Sequence, residues 1–179
     1  MSPTRDDCLQ AATALFDDGR FFARLAERIA LPTESDRGDA PAALGDYLER
    51  LRDGTLAALG FDSTLLPNPS GRGGPVLIAR RIEDPALPTV LTYGHGDVVS
   101  GQAERWSGGR SPWVLQAEGE RWYGRGSADN KGQHSINLEG LAAAIAARGG
   151  RLGYNVTLDR KSTRLNSSHS QQSRMPSSA

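Results

Sequence analysis

The chain has 179 residues, 37% of them hydrophobic, and its 21 basic side chains balance 21 acidic ones. That length fits one domain with a normal core, or part of a larger one. Zero net charge gives no electrostatic case for nucleic acid or an anionic membrane surface as a partner. A single cysteine, Cys8, excludes an internal disulfide and a cysteine-held zinc, so any metal must be held by His, Asp or Glu. The N-terminus has neither the basic stretch nor the apolar run of a signal peptide, and no later run approaches the ~20 apolar residues of a membrane span. A soluble, cytoplasmic protein is expected.

Phe22, Leu25, Ala26 and Ile29 recur at the spacing of a helix with one apolar face, and Pro32 closes it. After a polar loop, Thr33 to Asp39, a second helix carries Leu44, Tyr47, Leu48 and Leu51 and continues weakly to Leu59, with Gly60 as its stop. The period then changes. Ser63 to Leu66 predicts a short strand, residues 67–74 a turn-rich loop, and Pro75 to Arg80 and Thr89 to Tyr93 two further strands. Val76-Leu77-Ile78 and Val90-Leu91 lack polar alternation, as in strands covered on both faces. His95 would therefore lie just past the carboxyl end of an interior strand, where open α/β sheets place their ligands. All three tryptophans, Trp106, Trp113 and Trp122, follow in a Gly-, Ser- and Arg-rich segment, either lining a cleft or pinning an irregular loop. Glu118-Gly119-Glu120 reads as a hairpin turn. From Asp129 a helix carries Leu138, Leu141, Ala142 and Ile145 and ends at Gly149-Gly150, and Tyr154 to Leu158 resumes as a strand. Residues 160–179 have no apolar period and no acid, and are expected to be disordered.

Two clusters carry chemistry. His95 and Asp97 are spaced so that a strand would point both side chains the same way, letting the carboxylate fix the imidazole tautomer. Such a pair is also at home in a loop with no metal. Asp129, in front of a helix, is as readily an N-cap as a metal ligand. Gly94 and Gly96 around His95, and Gly124, Gly126 and Gly132 around Asp129, suggest backbone passing close to a small ion. Phosphate-loop readings fail: Lys131 precedes Gly132 with no hydroxyl after it, and Asp129 occupies the last glycine position of a dinucleotide fingerprint.

Taken together, Gly94-His95-Gly96-Asp97-Val98-Val99, Trp106, Ser111-Pro112 and Tyr123-Gly124-Arg125-Gly126-x-x-Asp129-x-Lys131-Gly132 resemble the first two motifs of the co-catalytic zinc metallopeptidases. That family includes aminoacylases, carnosinase-type dipeptidases, glutamate carboxypeptidases, acetylornithine deacetylase and succinyl-diaminopimelate desuccinylase. The resemblance runs from about Phe21 to Leu158 in element order. Ser100 stands where many members have proline, and Trp113 where phenylalanine is usual. It implies an α/β fold with a mixed, largely buried sheet flanked by helices. The implied activity of the parent is zinc-dependent amide hydrolysis through a zinc-bridged water, on a small peptide or N-acyl amino acid. By the resemblance His95 binds one zinc, Asp97 is the catalytic residue that orients His95, and Asp129 bridges two zinc ions. Cobalt is the implied substitute, and a homodimer is open to the full-length parent only.

In that family the strand after the helix leads to an adjacent acid pair, usually Glu-Glu, whose first member is the general base. Here it runs into Asp159-Arg160-Lys161, the last glutamate is Glu139, and the only later histidine, His169, lies in the tail. That tail resembles the translated read-through of a sequencing-library adapter. The expectation is a C-terminally truncated catalytic domain over residues 1–159, a foreign tail over 160–179, no lid or dimerisation domain, and no activity in this chain alone. The rival expectation is a non-enzymatic truncated product or binding module.

Overall fold

The computed structural model describes residues 4–35, 40–68 and 74–161. Helix α1 (Arg5–Asp17) has no counterpart in the apolar periodicity, because it buries little: Leu15 is its buried residue, while Leu9 and Phe16 are 48% and 56% exposed. Its start is fixed by a reciprocal cap in which Asp7 N–H donates to Thr4 Oγ1 at 3.2 Å and Thr4 N–H to Asp7 Oδ2 at 2.7 Å. Gly19, at φ +79°, turns the chain into α2 (Arg20–Ile29), which buries Leu25 and Ile29 as their spacing predicts. Helix α3 (Ala40–Arg50) runs into a π-helical stretch, Leu51–Leu56, and the chain leaves helix at Gly60 with φ +74°.

Strands β1 (Asp62–Leu66), β2 (Val76–Arg81), β3 (Thr89–His95) and β6 (Asn155–Lys161) form one sheet in the order β1-β2-β6-β3. The β1–β2 and β2–β6 pairs are antiparallel and β3–β6 is parallel, so the sheet is mixed as expected. A separate hairpin, β4 (Gln116–Glu118) with β5 (Arg121–Tyr123), turns at Gly119. Helix α4 (Lys131–Ala147) lies between the hairpin and β6 in sequence, and Gly149 and Gly150, both at positive φ, end it. The core forms where Tyr47, Leu48, Leu51, Leu56 and Leu138 pack on Leu77 and Ala79 of β2 and Val156 and Leu158 of β6. Burying a leucine such as Leu138, 1% exposed, contributes roughly 2 kcal/mol.

Two expectations about the sheet change. Strand β3 is an edge strand among the described residues, because β6, last in sequence, inserts between it and β2. Nor, among the described residues, are the strands covered on both faces. Leu77 and Ala79 turn toward the helices, whereas Leu91 and Tyr93 on the opposite face are 70% and 46% exposed. The unbroken apolar runs supply side chains to both faces, and the described helices cover one. The boundary expected at residue 160 also falls inside β6: Arg160 pairs with Leu77 and Gly94, and Lys161 with Val76 and His95. Residues 162–179, and 69–73 of the expected loop, lie outside the described residues.

The tryptophans pin loops. Trp122 stacks on Phe16 at 5.2 Å and meets Phe22 edge-on at 5.1 Å, while Trp106 Nε1 donates to Gly101 O at 2.7 Å.

Candidate metal centre

His95 closes β3, where the strand gives way to a loop held against residues 33–35. Thr33 Oγ1 donates to Gly96 O at 2.7 Å, Val98 N–H to Thr33 O at 2.9 Å, and Ser35 N–H to Val98 O at 3.0 Å. Buried Glu34 accepts from Gly101 N–H at 2.6 Å. These bonds set the path on which His95 and Asp97, 6% and 5% exposed, face each other. His95 Nδ1 lies 2.9 Å from Asp97 Oδ1 and 3.2 Å from Asp97 O, a carboxylate-anchored imidazole whose Nε2 faces Asp129. Burial alone would lower the imidazole pKa, but the hydrogen bond and charge of Asp97, together with the Asp129 charge, outweigh it and hold the pKa above its ordinary value.

Asp129 arrives from the glycine-rich loop before α4. Its Oδ1 lies 3.2 Å from His95 Nε2, with the side chain 53% exposed. The helix is capped one residue later, at Asn130, so Asp129 is not the N-cap. Lys131 anchors the loop from behind: its side chain is fully buried, donates from Nζ to Leu31 O at 2.6 Å, and sits 5.4 Å from the Tyr47 ring. Burial pushes its pKa down to about 7, while the carbonyl and the ring favour the charged form.

The glycines serve a different purpose from the one expected. A Cβ on Gly96 would come within 2.7 Å of the Tyr47 ring, one on Gly94 would strike His134, and one on Gly132 the Ser127 carbonyl. Backbone crowds protein at these positions, and the glycines let β3, the loop and α4 close on one another.

The donor set fits zinc as far as it goes. Two ligands of one tetrahedral zinc stand about 3.3 Å apart when each bond is about 2.05 Å. His95 Nε2 and Asp129 Oδ1, at 3.2 Å, match one edge of that tetrahedron. Among the described residues no cluster of three or more His, Cys, Asp or Glu completes it. Glu139 is engaged elsewhere, bonded to Arg24 and 3.7 Å from Arg28. Sequence reasoning named His95, Asp97 and Asp129, and the structure brings the three together. It missed Thr33 and Glu34, whose only local signals are polar residues after an apolar run, and it quoted Lys131 in the second motif without giving it an anchoring role.

Comparison with known proteins fits this geometry. The model of Peptidase family M20/M25/M40 matches residues 91–158, which take in most of β3, the hairpin, α4 and the first four residues of β6. Residues 91–158 thus carry a match to the M20 peptidase family, and both sequence motifs lie within it. The chain is 34% identical over 105 residues to a cysteinylglycine-S-conjugate dipeptidase of Corynebacterium striatum, an alignment covering 58% of it and 22% of that protein. It is 33% identical over 125 residues to the Cys-Gly metallodipeptidase DUG1 of Candida albicans, covering 63% and 25% respectively. The solved structure of the dipeptidase Dug1p from Saccharomyces cerevisiae superposes with a TM-score of 0.76 at 26% identity, covering 90% of this chain and 35% of that one. The chain thus spans about a quarter of the sequence relatives and about a third of the solved one.

Proposed function

We propose that this chain supplies the His95–Asp129 half of the zinc centre of an amide hydrolase acting on a dipeptide or an N-acyl amino acid. The facing of His95 Nε2 and Asp129 Oδ1 at 3.2 Å, with Nδ1 held by Asp97, carries the reading. The M20 family match and the dipeptidase relatives support it. His95 and Asp129 would hold zinc, with cobalt as a substitute. When bound, the metal supplies Lewis acidity toward the substrate carbonyl and lowers the pKa of water. Asp97 keeps the proton of His95 on Nδ1 and fixes the ring so that the Nε2 lone pair faces Asp129. The same reading takes a small neutral or singly charged substrate in the cytoplasm.

The chain alone is proposed to be inactive. Among the described residues two protein ligands fall short of the usual three, and Glu139 is already held by its arginines. Incubating the chain with zinc and a dipeptide panel tests this. No release of amino acid is expected, and turnover that disappears in His95→Ala would overturn the inactivity claim. The shortage of ligands also favours a second reading, a non-enzymatic module that binds zinc weakly or a partner instead.

A further inference from the structure

Resting on the zinc-centre reading above, we propose that Tyr47 is a positioning residue for that centre, its ring being the surface against which the His95 loop and the Asp129 loop are both set. The apolar period of α3 marks Tyr47 as a core side chain, and it is one: it is 2% exposed and shares a cluster with Leu48, Leu51 and Leu138. Three further contacts carry it to the two motifs.

The first is to Gly96, the residue between His95 and Asp97. A Cβ built there would lie 2.7 Å from both Cδ1 and Cε1 of the ring, so the backbone of the loop rests directly on the ring. The second is to Lys131, two residues past Asp129, whose Nζ sits 5.4 Å from the ring centroid while it donates to Leu31 O. The third is to His134 of α4, whose Nδ1 is 3.4 Å from the phenol oxygen. Burial, helped by the Arg160 charge, lowers the His134 pKa and keeps the imidazole neutral, so Nδ1 can accept the phenol proton. A bond of that length adds little, which makes the ring rather than the hydroxyl the part that matters. The direct link between the two motifs, His95 N–H to Asn130 Oδ1, is equally long at 3.4 Å, and packing on the ring is left to fix their separation. A leucine at this place is shorter and would leave the Gly96 backbone unsupported. Movement of either loop by about 0.5 Å is enough to spoil a ligand geometry. It would take His95 Nε2 and Asp129 Oδ1 off the 3.2 Å separation that matches one edge of a zinc tetrahedron.

The test compares the wild-type chain with Tyr47→Phe, Tyr47→Leu and Leu48→Ala, the last cutting back another buried side chain of α3. Zinc affinity is read by calorimetry, stability by melting temperature, and the His95 Nε2 to Asp129 Oδ1 separation from crystal structures of the metal-free proteins. Tyr47→Phe keeps the ring and should hold zinc within about twofold of wild type. Tyr47→Leu, folded, should lose zinc affinity by at least about tenfold, as for a group that supports a metal ligand, with the separation changed by more than about 0.5 Å. Leu48→Ala should lower the melting temperature and leave affinity and separation as they are. A folded Tyr47→Leu that keeps the separation, or keeps the affinity, would overturn the proposal. So would an equal loss of zinc in Leu48→Ala, the outcome of a merely structural role. If Tyr47→Leu does not fold, Gly96→Ala decides, because its methyl group pushes the loop off the ring; unchanged affinity or separation there would overturn the proposal. Absence of zinc binding by the wild-type chain would contradict the metal-centre reading, while the separation in the metal-free proteins still judges Tyr47.

Discussion

His95 can serve as a metal ligand only in its neutral form, and the same Asp97 contact that orients the ring also favours its proton. Because the pKa lies above the ordinary 6.5, protons compete with zinc from higher pH than for a free histidine. The sign follows: zinc affinity should fall as pH drops through that raised value and recover above it. Asp97→Asn removes the charge, so the pH of the fall should move down. At neutral pH, losing the orienting carboxylate should still weaken zinc by about 10- to 100-fold. Titrating zinc into both proteins between pH 5.5 and 8 reads both effects, and an unchanged profile in Asp97→Asn would deny Asp97 its role. His95, Asp97 and Asp129 were legible in sequence because each motif is short and local. Thr33 and Glu34 were not, since their bonds to Gly96 O and Gly101 N–H span 63 and 67 residues and both end on a backbone atom.

Within the elements, β6 has one residue at odds with its place. Its register puts Arg160 on the helix side of the sheet, fully buried, with Nε, Nη1 and Nη2 all without a hydrogen-bond partner. Burial lowers its pKa, and desolvating an unpaired guanidinium costs several kcal/mol. Leu158, two residues earlier on the same face, is an ordinary core side chain. Arg160→Leu should therefore stabilise the chain by roughly 1–4 kcal/mol, read as a higher urea midpoint. A lower midpoint would mean that the guanidinium has a partner in solution. Apolar spacing revealed α2, α3 and α4, each of which buries one face. The same signal was silent for α1, where Leu15 alone is buried, and misleading for β2 and β3, where an unbroken apolar run says nothing about which face is covered. Strand order was beyond the sequence altogether, because a parallel β3–β6 pair forms only once α4 has crossed over.

Across the molecule, the sheet has one face on the helix layer and one bearing Leu66, Leu91 and Tyr93, 46%, 70% and 46% exposed. Beside it, β3 offers an edge whose pairing groups have no strand partner among the described residues. An open edge next to exposed leucines favours self-association. Leu91→Glu should shift the chain toward monomer in light scattering with little change in melting temperature, and unchanged scattering would show that this face is not the sticky one. The central claim is that β3 and the loop before α4 meet to form half of a zinc site. Calorimetric titration of zinc into the wild-type chain, His95→Ala and Asp129→Ala tests it most directly. Weak binding of no more than one equivalent, lost in both variants, is the predicted result. Tight binding that survives both substitutions, or no binding at all by the wild-type chain, would contradict it.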